Sequence, residues 1–162
     1  MSENKVKHVL ERRVISPGGF YFGRDEDLIY TLLGSCVAVT MWHPRLHIAG
    51  MCHVILPTRG NEESSTRYAN CAIKEFVEAV NKFGTRPSEY EVGVYGGGNM
   101  FPALNKHYDT LIGVKNFKEV ERLLLATGFT IKFKDVGGEV ARKLTLNRMT
   151  GGIILEHVEL KT

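Results

Sequence analysis

Cys36 follows Gly34 and Ser35 and opens the apolar run Val37-Ala-Val-Thr-Met-Trp42, a turn-to-strand junction that suits a nucleophile. Gly34 and Ser35 let backbone N–H groups turn toward the sulfur, where they would stabilise a thiolate and later an oxyanion. A thiol also needs a proton acceptor. His53 lies 53 − 36 = 17 residues on, inside the β-rich run Ile48-Ala-Gly-Met-Cys-His-Val-Ile-Leu56. The intervening His43-Pro-Arg-Leu-His47 favours a turn, so the two runs read as a hairpin. A turn centred on Pro44 and Arg45 sets Cys36 directly opposite His53, with Cβ atoms about 4.5–5.5 Å apart, close enough for a Cys–His contact. Taken alone, the spacing also suits a buried free cysteine that acts as a small hydrophobe.

The remaining candidates are weaker. Cys52 should point to the opposite sheet face from His53 and Cys71 to the apolar side of a helix, which makes both packing residues. His43 and His47 bracket a turn and are expected to be solvated. The chain has no CxxC, no HExxH and no HxxxH on a helical pattern, so no metal site is expected. Gly96-Gly97-Gly98 matches neither GxGxxG nor a phosphate loop and reads as a tight strand exit near the site. Asn99 could hydrogen-bond a substrate amide or simply form the turn.

Several elements must hold these residues in place. Segments 8–16 and 27–34 read as strands, followed by the hairpin and by a polar loop at 59–66, expected to be mobile. Tyr68, Cys71, Phe76, Val80 and Phe83 recur at helical spacing, and Gly84 stops that helix. Residues 91–95 alternate like a strand. Asn116 with Glu119 resembles a capping box opening a helix through Leu125. Residues 129–136, 139–147 and 151–160 read as a closing meander of three strands joined by Gly-Gly and Thr-Gly-Gly turns. This order predicts the α/β (α+β) class, a single-domain layered sandwich of mixed β-sheet with packed helices over residues 1–162, with 1–7 flexible.

Composition agrees: of 162 residues 43% are hydrophobic and 24% charged, enough to bury a core and unlike a disordered chain. Net charge is only +3 with the signs interspersed, which argues against nucleic acid. A polar N-terminus and the lack of an apolar run near the roughly 18 residues a bilayer crossing needs argue for a cytoplasmic protein with no membrane insertion. Three cysteines without an export signal make a disulfide framework unexpected.

Thr31-Leu-Leu-Gly-Ser-Cys-Val-Ala-Val39 and Gly50-Met-Cys-His-Val-Ile-Leu-Pro57 resemble the CheD family of chemoreceptor glutamine deamidases. The resemblance continues through Tyr95-Gly-Gly-Gly-Asn-Met-Phe101, Ile112-Gly-Val-Lys-Asn116 and Asp135-Val-Gly-Gly-Glu-Val-Ala-Arg-Lys143 with the Thr150-Gly151 turn, about residues 14–158 in all. It implies hydrolysis of particular glutamine side chains on the cytoplasmic helices of chemoreceptors to glutamate, with methyl-esterified glutamate a minor further substrate. Cys36 matches the nucleophile and His53 the base. The third catalytic position is a threonine just upstream of the cysteine, which falls on Tyr30 by strict spacing and on Thr31 after a one-residue shift. The implied chemistry needs no metal or organic cofactor. Backbone N–H groups around Gly34, Ser35 and Cys36 would hold the oxyanion, while Gly97, Gly98, Asn99 and the 59–66 loop would form the rim of a surface cleft. The phosphatase CheC is a further implied partner. Two other readings stand beside this one: a receptor- or CheC-binding regulator without catalysis, and a thiol-based redox or metal sensor. Selective iodoacetamide labelling of Cys36 near neutral pH is what the enzyme reading expects.

Overall fold

The computed structural model describes residues 11–59, 63–108 and 111–159. The expected flexible residues 1–7, the His8–Leu10 start of the first predicted strand and residues 60–62 of the polar loop lie outside that range. Nine strands are described: β1 (Arg13–Val14), β2 (Phe20–Gly23), β3 (Leu28–Leu33), β4 (Val37–Trp42), β5 (Ala49–Val54), β6 (Glu91–Gly96), β7 (Ile131–Val136), β8 (Val140–Asn147) and β9 (Ile153–Glu159). Two α-helices, α1 (Ala69–Lys82) and α2 (Ile112–Ala126), complete the frame with a 3-10 turn at Pro87–Glu89.

Alternation along β4 and β5 explains the layering. Val37, Val39 and Met41 of β4, with Cys52 and Val54 of β5, pack against Ala72, Ile73, Phe76 and Val80 of α1 and Val114, Phe117 and Val120 of α2. The intervening residues Ala38, Ala49 and Met51 face Ile29 and Leu33 of β3 and Leu144 and Leu146 of β8. Because successive side chains on a strand point to opposite faces, one apolar strand pair serves two cores. The result is helices on a five-stranded sheet, β2-β5-β4-β6-β7, itself stacked on a four-stranded sheet, β1-β3-β8-β9. This is an α+β fold of mixed sheet with packed helices, as expected, and it consists of two mixed sheets with the helices on one outer face. Phe76 is wholly buried beneath Phe20 and Phe22, so Phe76→Ala would cost about 3–5 kcal/mol.

Three expectations change. The last three strands are not a meander, because β7 lies parallel to β6 in the five-stranded sheet and only β8 and β9 form a hairpin, in the other sheet. A strand parallel to its predecessor needs a crossover, and α2 supplies it between β6 and β7. The Gly137-Gly138 corner then carries the chain from one sheet to the other. Asn116 is not a cap: α2 starts one turn earlier at Ile112, and the wholly buried Asn116 donates Nδ2–H to the Ile55 carbonyl at 2.9 Å. Gly113 and Val114 extend the helix backward because they pack on β6 and its glycine exit, a tertiary reason that local capping patterns do not carry. Finally, β2 was not foreseen, since four residues between two glycine-rich turns give too short an alternation to stand out.

Candidate active site

The chain changes sheet between β3 and β4, and the three residues that make the change are Gly34, Ser35 and Cys36. A backbone leaving one ladder before joining the next exposes its side chains at the sandwich edge. Cys36 is accordingly half-buried, while Cys52 and Cys71 are buried. All three thiols are free.

The hairpin is present, with a register two residues away from the one expected. Ala38, not Cys36, stands opposite His53, and Val37 opposite Val54. The turn extends through Leu46, closed by hydrogen bonds from His43 N to the Ile48 carbonyl and from His47 N to the His43 carbonyl, which moves the axis of the hairpin. His43 itself is not solvated: it is 2% exposed, its Nδ1 accepts N–H groups of Arg45 and Leu46, and its Nε2 lies 2.7 Å from Glu89 Oε2. His47, half-buried, stacks on Trp42 at 5.6 Å between ring centroids. These two histidines anchor the turn because a positive φ of 54° at His47 folds it back onto β4. Extending that register by one residue sets Cys36 a diagonal step from His53, on the face Ala38 shares, and diagonal cross-strand neighbours are about 7–8 Å apart. Among the described residues no hydrogen bond joins the thiol to the imidazole; catalytic pairs commonly close only around a substrate.

His53 is held from three sides. Its backbone carbonyl accepts from Gly18 N at 2.8 Å, and its N–H donates to the Gly19 carbonyl at 3.2 Å. Its Nδ1 lies 2.7 Å from Thr31 Oγ1, a contact from β5 to β3 across the two sheets. Thr31 is wholly buried and donates its hydroxyl to the Ile15 carbonyl at 2.6 Å. A carbonyl can only accept, so the threonine proton is committed there and Nδ1 must carry the proton shared with Thr31. Nε2 is left as the acceptor. Tyr30, the other candidate for the third position, points to the outer sheet face, where Arg12 lies over its ring at 3.6 Å. The structure thus brings Thr31, and not Tyr30, to the imidazole.

Burial pushes the His53 pKa down to about 4, opposed in part by the Ile15 carbonyl, so the ring is neutral at pH 7. Burial also raises the Cys36 pKa above the usual thiol range. The resting pair is thiol and neutral imidazole rather than thiolate and imidazolium. Strong labelling of Cys36 at neutral pH is therefore not what this environment favours. Cys52, wholly buried on the helix side, is pushed up to about 12.

A glycine strap closes the site. Gly97 N donates to the Cys36 carbonyl at 2.8 Å and Gly98 N to the Gly34 carbonyl at 3.0 Å. The Ser35 N–H shares a trans peptide plane with the Gly34 carbonyl and so points away from the strap, where an oxyanion could sit. A cavity of about 340 Å³ opens beside it, lined by Ser35, Gly98, Asn99, Met100, Phe101 and Ile112 among others. Asn99 is engaged by its own loop, with Oδ1 accepting from Phe101 N and Nδ2 donating to the Asn105 carbonyl, so it shapes the rim as a turn former. Asn105 and Leu111, which also line this cavity, were not singled out from the sequence; the exposed Leu104 and Tyr108 were the available signal.

Among the described residues no three His, Cys, Asp or Glu side chains converge as a metal-binding group, and Cys36 and Cys52 face opposite cores. No described helix is long and apolar enough to cross a membrane.

Fold and site together define an α+β protein in which a hydroxyl-held imidazole and a half-buried thiol lie near the junction of its two sheets, residue types suited to thiol-dependent hydrolysis. The chain belongs to the CheD family: the family model for CheD chemotactic sensory transduction matches residues 55–157. That stretch begins just past His53. Whole-length relatives extend the likeness: a protein of Dechloromonas aromatica named probable chemoreceptor glutamine deamidase CheD 3 is 38% identical over 87% of this chain and 84% of its own. Similar proteins of Leptospira interrogans (33% identical, 90% and 92% covered) and Pseudomonas savastanoi (35%, 89% and 83%) carry the names probable chemoreceptor glutamine deamidase CheD 1 and CheD. Among solved structures, the hypothetical protein YfiH of Bacillus licheniformis aligns with a TM-score of 0.44 at 13% identity, over 67% of this chain and 46% of that one, too slight a likeness to inform function.

Proposed function

We propose that this protein deamidates glutamine side chains of chemoreceptors, with Cys36 as nucleophile, His53 as base and acid, and Thr31 holding the imidazole. The observation that carries the proposal is the Ile15–Thr31–His53 relay, which commits the Nδ1 proton and leaves Nε2 unprotonated as the acceptor. As sulfur attacks the carboxamide carbon, Nε2 takes the thiol proton and the oxyanion is held by backbone N–H groups of Ser35 and Cys36. His53 returns that proton to the departing ammonia, leaving a γ-glutamyl thioester. Water then attacks the thioester, giving its proton to Nε2 and then to sulfur, which releases glutamate and restores the thiol. Because the resting pair is neutral, proton transfer accompanies attack rather than preceding it.

The half-buried thiol, next in the chain to Ser35 on the cavity wall, supports a substrate presented from outside, a glutamine projecting from a receptor helix. Gly97, Gly98 and Asn99 would form one rim, and the edge of the 59–66 loop another. The names of the relatives support the receptor as substrate, and the cytoplasm, where receptor signalling helices lie, follows as the location. CheC, by family resemblance, would dock over the same face. The deciding experiment is mass spectrometry of a receptor cytoplasmic fragment incubated with wild-type and Cys36→Ala protein. A mass gain of amide-to-acid conversion at defined glutamines with wild type alone is expected; equal conversion by both proteins refutes the reading.

A further inference from the structure

The relay gives no task to Asp135-Val-Gly-Gly-Glu-Val-Ala-Arg142, yet this segment closes on itself around a buried cation. Arg142 is 2% exposed. Its Nε donates to Asp135 Oδ1 and its Nη2 to the Gly137 carbonyl, each at 2.8 Å. Its Nη1 is buried without a hydrogen-bond partner among the described residues. Burial opposes ionisation of Asp135, but hydrogen bonds from Arg142 and His157 outweigh it and hold the carboxyl below the usual range. An interior guanidinium with an idle N–H group is a poor choice for stability alone, since apolar side chains of similar volume serve a core as well or better.

What this clasp fixes is the Gly137-Gly138 corner, and through it the strap against Cys36. Gly137 N donates to the Gly96 carbonyl at 3.0 Å and the Gly138 carbonyl accepts from Asn99 N at 2.8 Å, on either side of the two strap bonds to Cys36 and Gly34. The fit leaves no slack. A Cβ on Gly96 would sit 2.4 Å from the Cys36 carbonyl oxygen, and one on Gly98 2.4 Å from the Val140 carbonyl oxygen.

We propose that Arg142 is a positioning residue for the amide hydrolysis: its forked bonds to Asp135 and Gly137 lock the corner that holds the strap, and the strap holds the Cys36 backbone and its neighbouring amides. Arg142 does not touch the substrate, and the inference rests on the Cys36-centred function proposed above.

Arg142→Lys tests it, because a lysine keeps the charge but its single ammonium cannot reproduce the two-armed fork. With receptor fragment as substrate, kcat is expected to fall about 10²-fold, the scale of a misplacement near 1 Å, with KM nearly unchanged. Peptide-resolved iodoacetamide labelling of Cys36, which needs no substrate, is expected to speed up as the strap loosens. Wild-type kcat in Arg142→Lys overturns the inference, as does a loss that vanishes when the assay is run well below the variant's Tm. If the wild-type protein releases no ammonia, the functional reading fails and labelling alone decides: a faster rate in Arg142→Lys supports the clasp and an equal rate overturns it. Should Arg142→Lys fail to fold, Asp135→Asn, which removes the clasp's anion and keeps its shape, carries the same measurements and outcomes.

Discussion

The neutral His53 ties the site to the stability of the whole chain. In the folded protein its pKa is about 4; in the unfolded chain a histidine titrates near 6.5. As pH falls the unfolded chain takes up the proton first, so stability present above pH 6.5 is lost progressively down to about pH 4. The full gap corresponds to about 3 kcal/mol, and by pH 5 about 2 kcal/mol of it is gone. In a domain of this size that is a fall in Tm of roughly 4–8 °C. His53→Gln isolates the contribution, because the glutamine amide can still donate to Thr31 Oγ1 but does not titrate. Carboxylates with lowered pKa, Asp25, Glu89 and Asp135, destabilise both proteins alike in acid and cancel in the difference. Scanning calorimetry or urea unfolding of both proteins at pH 8 and pH 5 is the assay. Wild type should lose about 2 kcal/mol more than His53→Gln between those values. Equal losses, or a larger loss in the variant, would show that His53 is not buried neutral, and the assignment of its protons would fall with it.

The same arrangement makes other outcomes checkable. Thr31→Val removes the acceptor of the buried Nδ1–H and should cost about 1–3 kcal/mol in chemical denaturation together with most of the activity, whereas Thr31→Ser should retain both. Cys36→Ala should abolish ammonia release while leaving the unfolding free energy within about 1 kcal/mol of wild type, since the side chain is only half-buried. Peptide-resolved alkylation should find Cys36 slow at pH 7 and accelerating above pH 9, with Cys52 silent throughout; fast Cys36 labelling at pH 7 would contradict the burial of its thiol. Activity against receptor fragment should persist down to pH 5, where an ordinary histidine would be mostly protonated, as a pH–rate profile would show.

Local patterns were enough for much of this protein. The alternation of Val37–Trp42, the three- and four-residue spacing from Tyr68 to Val80 and the glycine stops are set by neighbours in the chain, so the hairpin, α1 and most strands were legible. The residues proposed as nucleophile and base were picked out the same way, because the motif around each is contiguous. What tertiary structure decided was every relation that crosses between sheets. The register of β4 against β5 depends on how His43 and His47 pack under the turn, and that packing placed Cys36 diagonal to His53 rather than opposite it. The choice of Thr31 over Tyr30 follows from which face of β3 turns toward β5, and the task of the Asp135–Arg142 segment from the corner where the chain changes sheets. Sequence records which residues are near along the chain; a relay drawn from β3, β5 and the residue just after β1, and a strap at the exit of β6, exist only once burial has stacked the sheets.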